Sequence, residues 1–392
     1  MLMKAPLRVM NMEVRHPAGS QSRGSEAQAV ADAHRDMIVL ENVSKLYGQA
    51  VALHETDLVV REGEFLSLLG PSGSGKSTIL NIIAGAVAPT NGRILLNGQD
   101  VSMVPPRERG LGMVFQNYAL LPHLNVFDNV AFALRIRRIG KEEIGKRVRN
   151  ALERVGLVGY EERKPRELSG GQQQRVGIAR CIVYSPSVIL MDEPLGALDK
   201  KLREQLQAEI KRLHKDLGTT LVYVTHDQEE ALDLSDRVCL MNGGHIAQVG
   251  TPQELYFEPV NAFVADFVGE SNLIEGRLTA RDTLTTTDGL TLAVRSTEGH
   301  ATGAPVKVLV RPEKIRVIEG AEQQVVPSQH NFCTGVIAQT SFVGSMTRIA
   351  VRCQGGLLLR IKIASSRVSD CLTAGTPVSV GWAASDSIVL KN

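Results

Sequence analysis

The sequence predicts an α/β domain, built on a mostly parallel sheet covered by helices, followed by a smaller all-β domain. Three observations predict it. Strand-like and helix-like segments alternate from Met37 to about Val249. A glycine-rich stretch, Gly70–Ser77, lies between the apolar run GEFLSLLG and the helix-compatible TILNIIAG. From Asn272 onward helical periodicity gives way to short β-prone runs such as LTLAV, MTRIAVRC, LLLRIKIA and VSVGW, separated by Gly, Pro, Asn and Ser.

The elements justify themselves in order. MIVLENVSKLY reads as a strand, and VALHETDLVVREGEFLSLLG as two more around the turn Arg61-Glu62-Gly63. The part from about Val126 to Ile182 is helix-rich, with KEEIGKRVRNALERVG at helical spacing, and a further helix is expected around Asn261–Phe267. Residues 1–36, mixed and polar, are expected to be a mobile tail without the apolar centre of a secretory signal. The division is therefore 1–36, 37–271 and 272–392.

A chain of 392 residues suits two domains with real cores. Lys and Arg total 44 against 42 Asp and Glu, a balance that argues against wholesale binding to nucleic acid or anionic lipid. The cysteines (Cys181, Cys239, Cys333, Cys353, Cys371) are scattered and form no Cys-x-x-Cys, which argues against a disulfide framework or zinc site and for a reducing compartment. No apolar stretch reaches the roughly 18 residues of a spanning helix.

Gly70, Pro71, Ser72, Gly73, Ser74, Gly75, Lys76 and Ser77, followed by Thr78, fit the phosphate-loop pattern between a strand and a helix. Glycines let the backbone wrap an anion, and the following helix offers its positive end. Lys76 can neutralise β- and γ-phosphates and the Ser77 hydroxyl can ligate Mg²⁺. VILMDEPLGALD supplies a buried strand ending in Asp192, a candidate Mg²⁺ ligand, and Glu193, a candidate general base. Leu168-Ser169-Gly170-Gly171-Gln172 opens a second helix with an anion-binding start. One ATP does not need two such sites on one subunit; a dimer does. LVYVTHDQEEA ends a strand at Thr225 and His226, where the imidazole can hold a γ-phosphate and a water in line.

On these motifs residues 37 to about 249 resemble the nucleotide-binding domain of the ABC transporter family. The resemblance implies a RecA-like core sheet with a helical subdomain at about 126–182. It makes Gly70–Thr78 the Walker A loop, Val188–Asp192 the Walker B strand, Ser169–Gln172 part of the family signature, and Gly196–Asp199 the D-loop, with His226 the switch histidine. Gln116 in MVFQNYALLPHLNV is similar to the glutamine that contacts Mg²⁺ and water, and Tyr47 to the aromatic that stacks on adenine. LVRPEKIRV and FVGESN resemble the TOBE-type, OB-like C-terminal domain of some import ATPases.

The implied function is ATP hydrolysis coupled to import. It would be carried out by a homodimer docked near Tyr118–Pro122 on two permease subunits at the cytoplasmic face of a bacterial inner membrane, with an extracytoplasmic binding protein engaged indirectly. YALLPHLNVFDNVAFAL, GALDKKLREQLQ and FVGESNLIEG resemble most the polyamine-importer ATPases, and in looser form those for ferric iron, sulfate, phosphonate and sugars. A chromosome-maintenance or translation ATPase would carry a long coiled-coil insertion or a second cassette; neither occurs. A small-molecule kinase has no use for LSGGQ upstream of VILMDE, and a degenerate binding subunit would not keep Glu193 and His226.

Overall fold

The computed structural model describes residues 35–117, 119–196, 199–296, 300–318, 330–368 and 371–391. The expected N-terminal tail and Tyr118 lie outside the described residues, apart from Arg35 and Asp36 at the tail's end. The chain enters through the hairpin β1 (Asp36–Tyr47) and β2 (Ala50–Arg61). Strand β3 (Phe65–Leu69) follows, leading through a loop into α1 (Lys76–Ala84). Two short strands, β4 (Asn91–Leu96) and β5 (Gln99–Asp100), complete an antiparallel sheet of order β2-β1-β4-β5.

After β6 (Gly112–Val114) come the helices α2 (Val126–Ile136), α3 (Lys141–Arg154) and α4 (Gly170–Ile182). The chain then alternates through β7 (Val188–Asp192), α5 (Lys200–Leu217), β8 (Thr220–Thr225), α6 (Gln228–Leu234), β9 (Arg237–Asn242) and β10 (His245–Gly250). The second sheet has the order β10-β9-β3-β8-β7-β6 and is parallel except for β10.

Every residue of β3 and β8 is buried, as is β7 up to Met191, because helices or a second sheet cover both faces of these strands. On one side Phe65, Leu134, Leu152, Val176, Leu206 and Tyr223 form a core with the helices. On the other, Ile38, Leu66, Leu80, Ile82, Val222 and Met241 fill the space between the two sheets and α1. Register fixes the working edge. Leu69 pairs with Thr225 and Asp192 with Val224, so β3, β7 and β8 all release their chains at the same end of the sheet. Open parallel sheets bind ligands at that end.

Helices α7 (Pro252–Phe257) and α8 (Ala262–Val268) lead into the β-rich part. It begins with β11 (Asn272–Ala280), β12 (Thr283–Thr286), β13 (Thr291–Ala293) and β14 (Pro305–Val310). Then come β15 (Arg316–Ile318), β16 (His330–Val343), β17 (Met346–Cys353), β18 (Leu358–Ala364), β19 (Pro377–Ala383) and β20 (Ile388–Leu390). Two antiparallel sheets, β13-β12-β11-β14-β20 and β15-β19-β16-β17-β18, share a core around Ile274, Val308, Val351, Leu359 and Trp382. This is the OB-like all-β part expected from the strand spacing.

Arg311 fastens it to α7 and α8. The guanidinium is 3% exposed and donates to the carbonyls of Tyr256 (2.7 Å) and Ala265 (2.8 Å) and to Ser271 Oγ (2.9 Å), while lying over the Tyr256 ring. Arg311→Met would remove the guanidinium donor from the Tyr256 carbonyl and leave the Ala265 carbonyl with Ser271 Oγ alone. A loss of about 3 kcal/mol is expected, read as a fall in thermal midpoint of the full chain; an unchanged midpoint would refute the fastening role.

The scattered cysteines, read as forming no disulfide framework, include one pair that the fold brings together in this part. Cys333 on β16 and Cys353 on β17 are bonded, with Cα atoms 6.0 Å apart. Antiparallel pairing of the two long strands joins residues that sequence spacing left separate. Cys181 and Cys239 are free, buried thiols whose pKa burial pushes up to about 12.

Candidate active site

The loop between β3 and α1 is shaped by residues without side chains. Gly70 has φ 152°, and a Cβ there would stand 2.3 Å from the Met241 carbonyl oxygen and 2.8 Å from Ser74 Oγ. Gly75 caps α1 at φ 101°, with its notional Cβ 3.0 Å from the Ala52 oxygen. The loop is backed by the β9–β10 turn, where Gly244 N donates to the Ser74 carbonyl (3.1 Å). Pro71 is half-buried, Ser72 and Gly73 are exposed, Ser77 is exposed and Thr78 is half-buried. Ser74 Oγ is buried and has no hydrogen-bond partner among the described residues.

Lys76 is 5% exposed and folds back over the loop, donating to the Gly70 (2.8 Å) and Pro71 (2.9 Å) carbonyls. Burial lowers its pKa, opposed by the negative charges of Glu193 and Asp192. A cation, a glycine-rich turn and unpaired N–H groups of a helix start are together an anion cradle.

Asp192 ends β7 half-buried, its carboxyl pKa raised by burial and by Glu193 and lowered again by Lys76. Glu193 turns the chain sharply at φ 40°, a left-handed conformation that a non-glycine residue takes only when its surroundings enforce it. Here its N–H donates to the Val224 carbonyl of the neighbouring strand (3.0 Å). His226, just past β8, brings Nδ1 to 3.2 Å from Glu193 Oε2, and its side chain is 59% exposed toward solvent. Gln116, just past β6, is exposed. A Cβ at Gly196 would lie 4.0 Å from both Gln116 Nε2 and Glu193 Oε2, so the two side chains flank one glycine. The structure thus collects the loop, Asp192, Glu193, His226 and Gln116 at one end of the sheet.

The remaining predicted residues are engaged elsewhere. Ser169 caps α4: its Oγ accepts from Gln172 N (3.3 Å), and Gln172 Oε1 accepts from Ser169 N (2.9 Å). Gly170 is exposed, while Gly171 is buried so tightly that a Cβ would meet both methyls of Leu202 at 2.9 Å. Among the described residues no hydrogen bond or ion pair links Ser169–Gln172 to Gly70–Thr78. Tyr47, at the end of β1, is 53% exposed with Lys45 Nζ 5.1 Å from its ring centre. Asp199 caps α5, accepting from Leu202 N (3.0 Å).

Sequence reasoning missed a buried network beneath His226. Glu230 accepts from Tyr223 OH (2.9 Å) and Thr225 Oγ1 (2.8 Å), and Arg203 pairs with Asp227 (3.1 Å). The pattern Asp227-x-x-Glu230 carries a helix-cap signal, which foretells the Asp227 cap but not the burial of Glu230.

Residues 53–196 match the ABC transporter family and residues 308–390 the TOBE domain. Over 377 residues the chain is 44% identical to the spermidine/putrescine import ATP-binding protein of Rubrobacter xylanophilus, covering 94% of this chain and 98% of that protein. The chain belongs to the ABC transporter ATP-binding proteins. The protein of the same description from Acetivibrio thermocellus is 52% identical over 289 residues, covering 74% of this ABC protein and 82% of the relative.

Among solved structures, cbiO1 from Clostridium perfringens, part of the ABC transporter complex cbiONQ, superposes with a TM-score of 0.54 at 30% identity, over 57% of this chain and 92% of its own. The ATP-binding cassette MJ0796, solved as a dimer in a post-hydrolysis state bound to ADP and Pi, gives 0.50 at 36% identity, over 55% and 99%. This chain is accordingly an ABC ATPase with a C-terminal TOBE domain. Among its described residues no helix is long and apolar enough to cross a membrane.

Proposed function

We propose that this ABC ATPase works as a homodimer on two permease subunits at the cytoplasmic face of a bacterial inner membrane and drives polyamine import. The observation that carries the chemistry is the convergence of Lys76, Asp192, Glu193 and His226 on one sheet end, with Glu193 and His226 3.2 Å apart. The support for the cargo is the near full-length similarity to spermidine/putrescine import proteins, which spans both the ATPase and the TOBE parts.

ATP seats its β- and γ-phosphates on the loop Gly70–Thr78, where Lys76 exchanges its contacts with its own loop carbonyls for phosphate oxygens. Ser77, Asp192 and Gln116 form a set of hard oxygen donors suited to Mg²⁺, which would supply positive charge against the phosphate oxygens. Glu193 takes a proton from water as the water attacks the γ-phosphorus. The bond to the β–γ bridging oxygen breaks, leaving ADP and phosphate. His226 orients the water and the γ-phosphate. Ser169, Gly170, Gly171 and Gln172 of one copy cap the γ-phosphate held by the other, and Asp199 lies near the junction. Closure on ATP and reopening after hydrolysis then move the attached permeases.

Tyr47 stacks on the adenine ring. Its side chain is open to solvent, with Lys45 Nζ beside the ring. Tyr47→Ala is expected to weaken ATP binding by about tenfold, from the ~1–3 kcal/mol that a stacked base contributes, with kcat nearly unchanged. An unaltered KM for ATP would remove Tyr47 from the site.

The cargo assignment is tested by co-purifying the chain with its permeases and binding protein and measuring cargo-stimulated ATPase. Stimulation by spermidine or putrescine is expected. Stimulation by ferric iron, sulfate, phosphonate or a sugar instead would replace the polyamine while leaving the ATPase mechanism in place.

A further inference from the structure

His226 has an exposed ring, and its Nδ1 lies against Glu193, the residue it must work beside. Its position is therefore set through the backbone by its neighbours, Thr225 and Asp227. Both are held. Asp227 N donates to Thr225 Oγ1 (3.0 Å), and Thr225 Oγ1 donates to Glu230 Oε2 (2.8 Å). Asp227 Oδ1 accepts from Glu229 N (2.9 Å) and Glu230 N (3.2 Å), which pins the start of α6.

The other oxygen of Asp227 and the second carboxyl oxygen of Glu230 face a single guanidinium. Arg203 Nη1 is 3.1 Å from Asp227 Oδ2, and Nε is 3.8 Å from Glu230 Oε1. Glu230 is only 4% exposed, so a nearby cation stabilises its carboxylate, and the planar, pre-organised fork of arginine presents separate N–H groups to the two carboxylates. Arg203 stands one turn into α5, where its N–H bonds to the Asp199 carbonyl (2.9 Å).

We propose that Arg203 is a positioning residue for ATP hydrolysis: it grips Asp227 and Glu230 so that the intervening loop holds His226 against Glu193, and it ties that loop to the helix begun by Asp199. The inference rests on the proposed role of His226 and Glu193 toward the attacking water. The grip acts on the step in which water is lined up, not on ATP affinity. Small errors of alignment at a reacting centre cost one to two orders of magnitude in rate.

The test is steady-state ATPase of the full chain with thermal midpoints measured in parallel. Arg203→Ala should lower kcat about 10- to 100-fold and leave the KM for ATP within about twofold. Arg203→Lys should recover part of the loss. Glu230→Gln, which keeps the hydroxyl contacts but removes the charge facing Arg203, should reproduce part of it. If Arg203→Ala does not fold, these two variants carry the test.

The deciding measurement is Arg203→Ala placed on His226→Ala: acting through His226, it should cost less than about a further twofold. Unchanged kcat in the single variants, a rise in KM alone, or a full additional loss in the double variant would overturn the proposal. If His226→Ala itself hydrolyses at the parental rate, the assignment of His226 fails instead, and the two failures are told apart.

Discussion

Lys76→Ala is expected to lower ATP turnover by about three orders of magnitude and to weaken nucleotide binding. The side chain is nearly inaccessible and is held by the carbonyls of Gly70 and Pro71, so its ammonium is in place before ATP arrives. Burial lowers its pKa while Asp192 and Glu193 work to keep it charged. A phosphate group replaces those carbonyls with fuller negative charge at little reorganisation cost, an advantage alanine lacks altogether. Binding of a fluorescent ATP analogue and steady-state hydrolysis check both halves. Parental kinetics in the variant would dismiss the loop as the phosphate site.

Glu193→Gln is expected to cut hydrolysis about 10²- to 10³-fold while ATP still binds, so that a closed dimer accumulates on size-exclusion chromatography. The amide matches the carboxylate in size and tolerates the left-handed turn no worse. It can still lie beside His226, yet it does not accept the proton that attacking water must lose. A variant that hydrolyses at the parental rate would overturn the general-base assignment. A slow variant that remains monomeric in ATP would instead count against the shared-site dimer.

Much of this arrangement was legible because its causes are local. Gly70 and Gly75 are needed by backbone angles and by carbonyls pressed against them, and a run such as VILMD announces a strand covered on both faces. The helix near Asn261–Phe267 follows from periodicity in the same way. What escaped depends on partners far along the chain. The antiparallel sheet that pairs Ile38 with Leu96 separates β1 and β2 from the parallel strands, and nothing in either segment alone specifies that. Glu230 looks like a surface carboxylate at a helix start until Tyr223, Thr225 and Arg203 close over it. Cys333 and Cys353 meet only once the β16–β17 register is set.

The fit of Leu202 over the bare face of Gly171 has a mechanical consequence. With no side-chain cushion between them, the tips of α4 and α5 sit directly on one another, and any side chain at position 171 would push Leu202 aside. In the proposed dimer a second copy seated at Ser169 would press on a contact that lies one residue from Arg203.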